Sequence, residues 1–182
     1  MNIVVYCSSR DSIATLYKET ATGLGQWIGA NGATLVYGGI NCGLMRIVAD
    51  STRLNGGKAV GVVPVEKKAN EYPFNDETIL AVDLNDRKSK MIELGDVFVV
   101  LAGGYGTLDE LFATFAFLSF TGDEAKTIII VNDNNLFDAT LQQLTVMADN
   151  HLFDSRLMSR ILVAQSVGQC CEMLDNLKEK YQ

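Results

Sequence analysis

Histidine is nearly absent: His151 is the only one in 182 residues. Within one chain this excludes zinc sites built on two or three histidines. It leaves a Ser-His-Asp triad only His151 to use, and no Gly-x-Ser-x-Gly nucleophile turn accompanies it. Proline is scarce as well, with two residues, and charged residues make up 20% of the chain, so neither a proline-rich linker nor a highly charged disordered polymer fits. The four cysteines, Cys7, Cys42, Cys170 and Cys171, show no Cys-x-x-Cys spacing; zinc ribbons and thioredoxin-type motifs drop out, and reduced thiols are expected. Basic residues are outnumbered 15 to 22, a net charge of −7, which disfavours a nucleic-acid partner. A small anionic ligand is not excluded, because backbone N–H groups and one or two arginines hold a phosphate whatever the net charge. No stretch nears the ~18 apolar residues of a membrane span. The start Met1–Cys7 is too short an apolar run for a signal peptide and lacks a basic flank, so a cytoplasmic protein is expected.

What the chain does have is hydrophobic residues, 48% of the total, enough for a real core in a single domain over 1–182. Short β-rich runs alternate with helical patterns throughout. Strands are expected over Asn2–Cys7, Thr34–Tyr37, Ala59–Val63, Thr78–Val82, Val97–Leu101, Thr127–Val131 and Ile161–Ala164. Between them Ile13, Leu16, Tyr17, Thr20, Leu24, Trp27 and Ile28 recur at helical spacing, as do Leu136, Leu141, Leu144 and Met147. Several strands are continuous apolar runs, which implies burial on both faces by helices. The fold class is therefore α/β: one doubly wound, Rossmann-like domain with a mostly parallel sheet of about seven strands and helices on both faces. Pro64–Glu77, holding both prolines, reads as a long irregular connection.

In such sheets ligands sit beyond the carboxyl ends of the strands, so chemistry is sought in the strand-to-helix loops. Three stand out: Cys7–Asp11, with Ser8 and Ser9; Gly38–Met45, opening Gly38-Gly39; and Gly103–Glu110, with Gly103, Gly104, Tyr105, Gly106 and Thr107. Glycines allow close backbone approach, and the helix that follows offers free N–H donors and partial positive charge, the ingredients of a phosphate cradle. Neither a Walker A loop nor a dinucleotide fingerprint is present, since Gly57-Lys58 is followed by Ala59 and Gly104-x-Gly106 reaches Asp109 where a third glycine belongs. Thr107 with Glu110 three residues on is equally a capping box or a chemical pair, and Asp109 reads as a solvated first-turn acid. Arg87 and Lys88 stand in the first turn of a helix, where a cation is misplaced unless an anion lies nearby; a surface salt bridge is the alternative for Arg87. If the sheet is parallel, Arg87 and Glu110 can face one cavity.

Five separated segments in order, Val5-Tyr6-Cys7-Ser8-Ser9, Leu35–Gly39 leading to Gly43-Leu44-Met45, Gly61–Pro64, Arg87-Lys88 with Met91, and Gly103–Thr107 with Glu110, resemble the LOG family of cytokinin riboside 5′-monophosphate phosphoribohydrolases, proteins often labelled possible lysine decarboxylases. The resemblance implies an N-glycosyl hydrolase that cleaves AMP or a cytokinin riboside 5′-monophosphate to free base and ribose 5-phosphate. It implies a catalytic Arg87 and Glu110, and substrate binding by Ser8, Ser9, Gly38, Gly39, Lys88 and Gly103–Thr107. A homodimer is implied, and neither metal nor cofactor is required. The chain departs from the family pattern at Ala102 and Asn85, and an aromatic run, Phe115–Phe120, stands where the family carries a Trp-Ala-Gln-Leu-Gly stretch; it reads as core or dimer contact. The alternative function is a non-catalytic binding protein for a phosphorylated ligand, similar to molybdenum-cofactor carriers. The decarboxylase label has no visible Schiff-base lysine constellation behind it.

Overall fold

The computed structural model describes residues 1–181. Seven strands, β1 (Asn2–Tyr6), β2 (Thr34–Tyr37), β3 (Lys58–Pro64), β4 (Glu77–Ala81), β5 (Val97–Val100), β6 (Thr127–Val131) and β7 (Ile161–Ala164), form one sheet in the order β4-β3-β2-β1-β5-β6-β7. The expectation of a mostly parallel sheet is met in full, for every neighbouring pair is parallel. The central strands are wholly buried: Val97–Val100 and Thr127–Val131 have no exposed residue, as a strand covered on both faces requires. Toward the edge the pattern loosens, and Leu80 of β4 is exposed.

Alternate residues of each strand feed two separate apolar layers. Ile3, Val5, Leu35, Tyr37, Val97 and Val99 pack under helices α1 (Thr15–Ala30), α2 (Gly43–Leu54) and α7 (Val167–Lys178). Val4, Tyr6, Val36, Phe98 and Val100 face α3 (Leu84–Leu94) and α4 (Tyr105–Thr121), with α5 (Asp138–Asp149) and α6 (Ser155–Met158) beyond. No helix among the described residues is long and apolar enough to cross a membrane.

The chain runs from β1 out to β4 on one side, then returns past β1 to lay down β5, β6 and β7 on the other. The loops after β1 and β5 therefore diverge to opposite faces and leave a crevice between them, the switch point at which open α/β sheets bind ligands. The β3-to-β4 crossover carries no α-helix. The Pro64–Glu77 stretch holds one 3₁₀ segment, Val65–Asn70, and folds back on the loop after β2. Tyr72 N–H donates to the Gly39 carbonyl at 2.7 Å, its hydroxyl donates to Asp50, and Ile40 bridges Glu71.

Candidate functional site

Glu110 is delivered by α4 and Arg87 by α3. The register of α4 is fixed from below: the buried Tyr6 hydroxyl donates to Thr114 Oγ1 at 2.9 Å, which in turn donates to the Glu110 carbonyl at 2.9 Å. Burial holds Tyr6 protonated far above the usual phenol range, so it stays a donor. The start of α3 is fixed by the Asp83 side chain, which accepts from the amides of Asn85 and Asp86 at 2.8 Å and places Arg87 one turn into the helix.

The two side chains meet. Arg87 Nη1 donates to Glu110 Oε1 at 3.0 Å while its Nε donates to the Val62 carbonyl at 3.1 Å, so the guanidinium is gripped from two directions. Its Nη2 end reaches Gly38, where an added Cβ would stand 1.9 Å from Nη2 and 3.1 Å from Cζ. Beside this pair, Lys88 Nζ donates to both carboxylate oxygens of Asp109 at 2.8 Å. Asp109 is solvated as expected, its side chain 59% exposed, but it lies beyond the first turn of α4 and is the ion-pair partner of Lys88.

Glu110 is 7% exposed. Burial is the main cause that pushes its carboxyl up from 4.5 to about 7; Arg87 opposes the shift, and the nearby Asp109 adds to it. A carboxyl poised near neutrality can give or take a proton at working pH.

The capping-box reading of Thr107 and Glu110 is not realised. Helix α4 begins three residues earlier than that box needs, at Tyr105, with Gly104 as its N-cap and no side-chain cap. Its first helical hydrogen bond runs from Leu108 N–H to the Gly104 carbonyl at 3.1 Å, so the amides of Tyr105, Gly106 and Thr107 precede the ladder and are donors for a ligand. Glu110, freed from capping, turns to Arg87.

These groups line one cavity of about 490 Å³, within the usual range for small-molecule sites. Of the sequence-derived set, Ser8, Ser9, Arg87, Lys88, Gly104, Tyr105, Gly106, Thr107 and Glu110 line it. Gly38, Gly39 and Gly103 do not; Gly38 underlies Arg87, Gly39 abuts Val63 and Gly61, and Gly103 abuts Thr107. Cys7, Arg10, Met45, Leu84 and Asp109 line it too and are outside that set. All but Leu84 lie in the three loops singled out from the sequence, but which side chains of those loops enter the cavity depends on how distant loops pack. A second cavity of about 400 Å³, which shares Ser9, Met45, Leu84 and Arg87, adds Ile40, Asn41, Cys42, Pro64, Lys67 and Asn70.

Gly104 and Gly106 face open space: a Cβ at either meets nothing within 4 Å, and neither has a positive φ. The fold does not need glycine there, whereas a ligand resting on the α4 amides would. Gly104→Ala and Gly106→Ala are therefore expected to leave Tm within about 2 °C of wild type while raising KM for a phosphorylated substrate by about tenfold. A thermal melt paired with initial-rate kinetics checks both halves.

A family model described as "Possible lysine decarboxylase" matches residues 45–174. A protein named cytokinin riboside 5′-monophosphate phosphoribohydrolase from Rhodococcoides fascians is 32% identical over 169 residues, 91% of this chain and 85% of that one. Its namesake from Mycobacterium tuberculosis is 34% identical over 167 residues, 91% of this chain and 88% of that one. Among solved structures, the molybdenum cofactor carrier protein from Chlamydomonas reinhardtii superposes with a TM-score of 0.77 at 20% identity, covering 98% of both chains. That likeness shows a shared fold.

Proposed function

The chain belongs to the LOG family, whose model is described as possible lysine decarboxylase, and from that premise we propose that it is an N-glycosyl hydrolase that cleaves AMP or a cytokinin riboside 5′-monophosphate to free base and ribose 5-phosphate. The observation that carries the reading is the buried Glu110–Arg87 pair in a cavity whose other wall is the uncapped start of α4.

In this reading the 5′-phosphate rests on the amides of Gly106 and Thr107, with the dipole of a 17-residue helix behind them. The ribose then lies over Glu110. When the C1′–N bond breaks, its electron pair leaves with the base and positive charge builds on the sugar; ionised Glu110 stabilises that charge and accepts a proton from the water that attacks C1′. The water's oxygen ends on C1′, the departing base takes a proton from solvent, and Glu110 returns the water's proton to solvent, so that atoms and charge balance. Arg87 holds Glu110 in position and supplies the countercharge that keeps the ionised form accessible at neutral pH. The residues do not fit a pyridoxal-type group. Lys88, the lysine that lines the cavity holding Glu110, is committed to Asp109, and both carboxylates there are taken by cations, which leaves that cavity without a free amine for a Schiff base or a ring-nitrogen partner.

The test is incubation with AMP and with N6-isopentenyl-AMP. Release of adenine or isopentenyladenine together with ribose 5-phosphate supports the reading; tight binding with no product from either refutes it in favour of a carrier.

The same reading includes a cytoplasmic homodimer. All four cysteines are free thiols, as a reducing compartment keeps them. Helix α4 is apolar on more than one face: Leu111, Phe115 and Leu118 are buried, while Phe112 and Phe120 are exposed, Phe120 at 93%. Exposed aromatic side chains beside a core-facing apolar stripe call for cover. Light scattering is expected to read a dimeric mass; a monomeric mass at micromolar concentration refutes the dimer.

A further inference from the structure

The chain is acidic, yet the cavity is not. Three cations line it, Arg10, Arg87 and Lys88, against two carboxylates, Asp109 and Glu110. Arg87 is paired with Glu110 and Lys88 with Asp109, which leaves Arg10 as the one lining cation with no ion-pair partner among the described residues. Its neighbour in sequence does not compensate it, because Asp11 is turned to Arg46 at 3.0 Å.

The base of Arg10 is held firmly while its head is free. The Ser8 carbonyl accepts from Leu44 N–H at 2.9 Å, Ser8 Oγ accepts from Arg10 N–H at 3.1 Å, and Asp11 Oδ1 accepts from Gly43 N–H at 3.1 Å. Gly43, at φ +52°, packs so tightly beneath this loop that a Cβ there would stand 2.5 Å from the Ser9 carbonyl carbon and 2.8 Å from Arg10 N. The loop after β1 is thus seated on the first turn of α2, and an exposed guanidinium projects from that seat at the cavity wall.

A phosphate monoester carries close to two negative charges near neutral pH, more than the roughly half charge of a helix N-terminus offsets. With the other two cations internally neutralised, we propose that Arg10 is the phosphate clamp of this site: a binding residue that meets the 5′-phosphate opposite the α4 amides and selects phosphorylated ribosides over free nucleosides. The inference rests on the hydrolase reading for the identity of the ligand, a phosphorylated ribose, but its test needs no turnover.

Calorimetry with ribose 5-phosphate is run on wild type, Arg10→Ala and Arg10→Lys, with adenosine as a ligand that lacks the phosphate. Arg10→Ala is expected to weaken ribose 5-phosphate binding about tenfold or more, Arg10→Lys to recover part of the loss, and adenosine binding to change by less than about twofold. In the active enzyme the loss falls on KM for the nucleoside monophosphate, with kcat little altered. Ribose 5-phosphate affinity within about twofold of wild type in Arg10→Ala overturns the proposal, as does a wild type that does not bind it, or an equal loss for adenosine, which would mark a collapsed loop. A wild type that binds ribose 5-phosphate through Arg10 yet turns over no nucleotide supports the clamp and refutes the hydrolase.

Discussion

Glu110→Gln is expected to lower kcat for nucleoside 5′-monophosphate hydrolysis by about 10³-fold, within the range for loss of a positioned acid–base group, while the fold survives. Gln keeps the size and an oxygen that accepts from Arg87 Nη1, but it neither balances a cationic sugar nor takes a proton from water. Stability separates the two roles. In the folded protein Glu110 holds its proton up to about pH 7, whereas the unfolded chain releases it near 4.5. Between those values the folded state binds the extra proton, so the contribution of Glu110 to stability is complete below about pH 4.5 and is lost as pH rises through about 7. Gln does not titrate. The Tm of Glu110→Gln relative to wild type is therefore expected to rise from pH 4.5 to 7 and then level off, an upper bound of about 3 kcal/mol in favour of the inactive variant. Wild-type kcat/KM runs the other way and climbs with pH on a limb centred near 7, because the ionised carboxylate does the work. Melts and initial rates between pH 4.5 and 8.5 read both; a Tm difference that is flat with pH refutes the buried, raised carboxyl.

Gly38→Ala is expected to cost about 100-fold in kcat/KM through a residue that does not line the cavity. The new Cβ would fall 1.9 Å from Arg87 Nη2 and 2.7 Å from Met45 Sδ, both far ends of flexible side chains. The backbone meets no obstacle, so the methyl group is accommodated when Arg87 swings away, and the Arg87–Glu110 contact opens with it. Displacement of a catalytic group by about 1 Å is enough for such a loss. Folding changes little, and Tm is expected to fall by only a few degrees. A variant that keeps wild-type activity shows that the position of Arg87 over Gly38 is irrelevant to chemistry.

The strands were legible because the sheet is parallel and covered on both faces: runs such as Val97–Val100 and Thr127–Val131 carry no polar interruption for a solvent face. Edge strand β4 was read one residue late, as Thr78–Val82 against the observed Glu77–Ala81, since an edge strand lacks that continuous signal. The stretch after β3 reads as irregular, yet it carries the 3₁₀ segment Val65–Asn70, and beyond it the Tyr72 amide turns to the Gly39 carbonyl, a tertiary outcome no local period encodes. Within the site, the spacing of Thr107 and Glu110 fits a cap and a catalytic acid equally well. The cap is removed by the earlier start of α4 at Tyr105, and Glu110 pairs instead with Arg87, 23 residues away in sequence on α3. Arg10 was visible as a loop residue but not as a cavity residue, because its placement depends on Gly43 packing beneath the loop.

The central claim is that Glu110 and Arg87 act together on a ribosyl bond anchored by its phosphate. The most direct measurement is the stoichiometry of products from AMP with wild type and with Glu110→Gln. Adenine and ribose 5-phosphate in equal amounts from wild type, and neither from the variant, is the expected result. Adenosine with inorganic phosphate, or equal adenine release from both proteins, would contradict it.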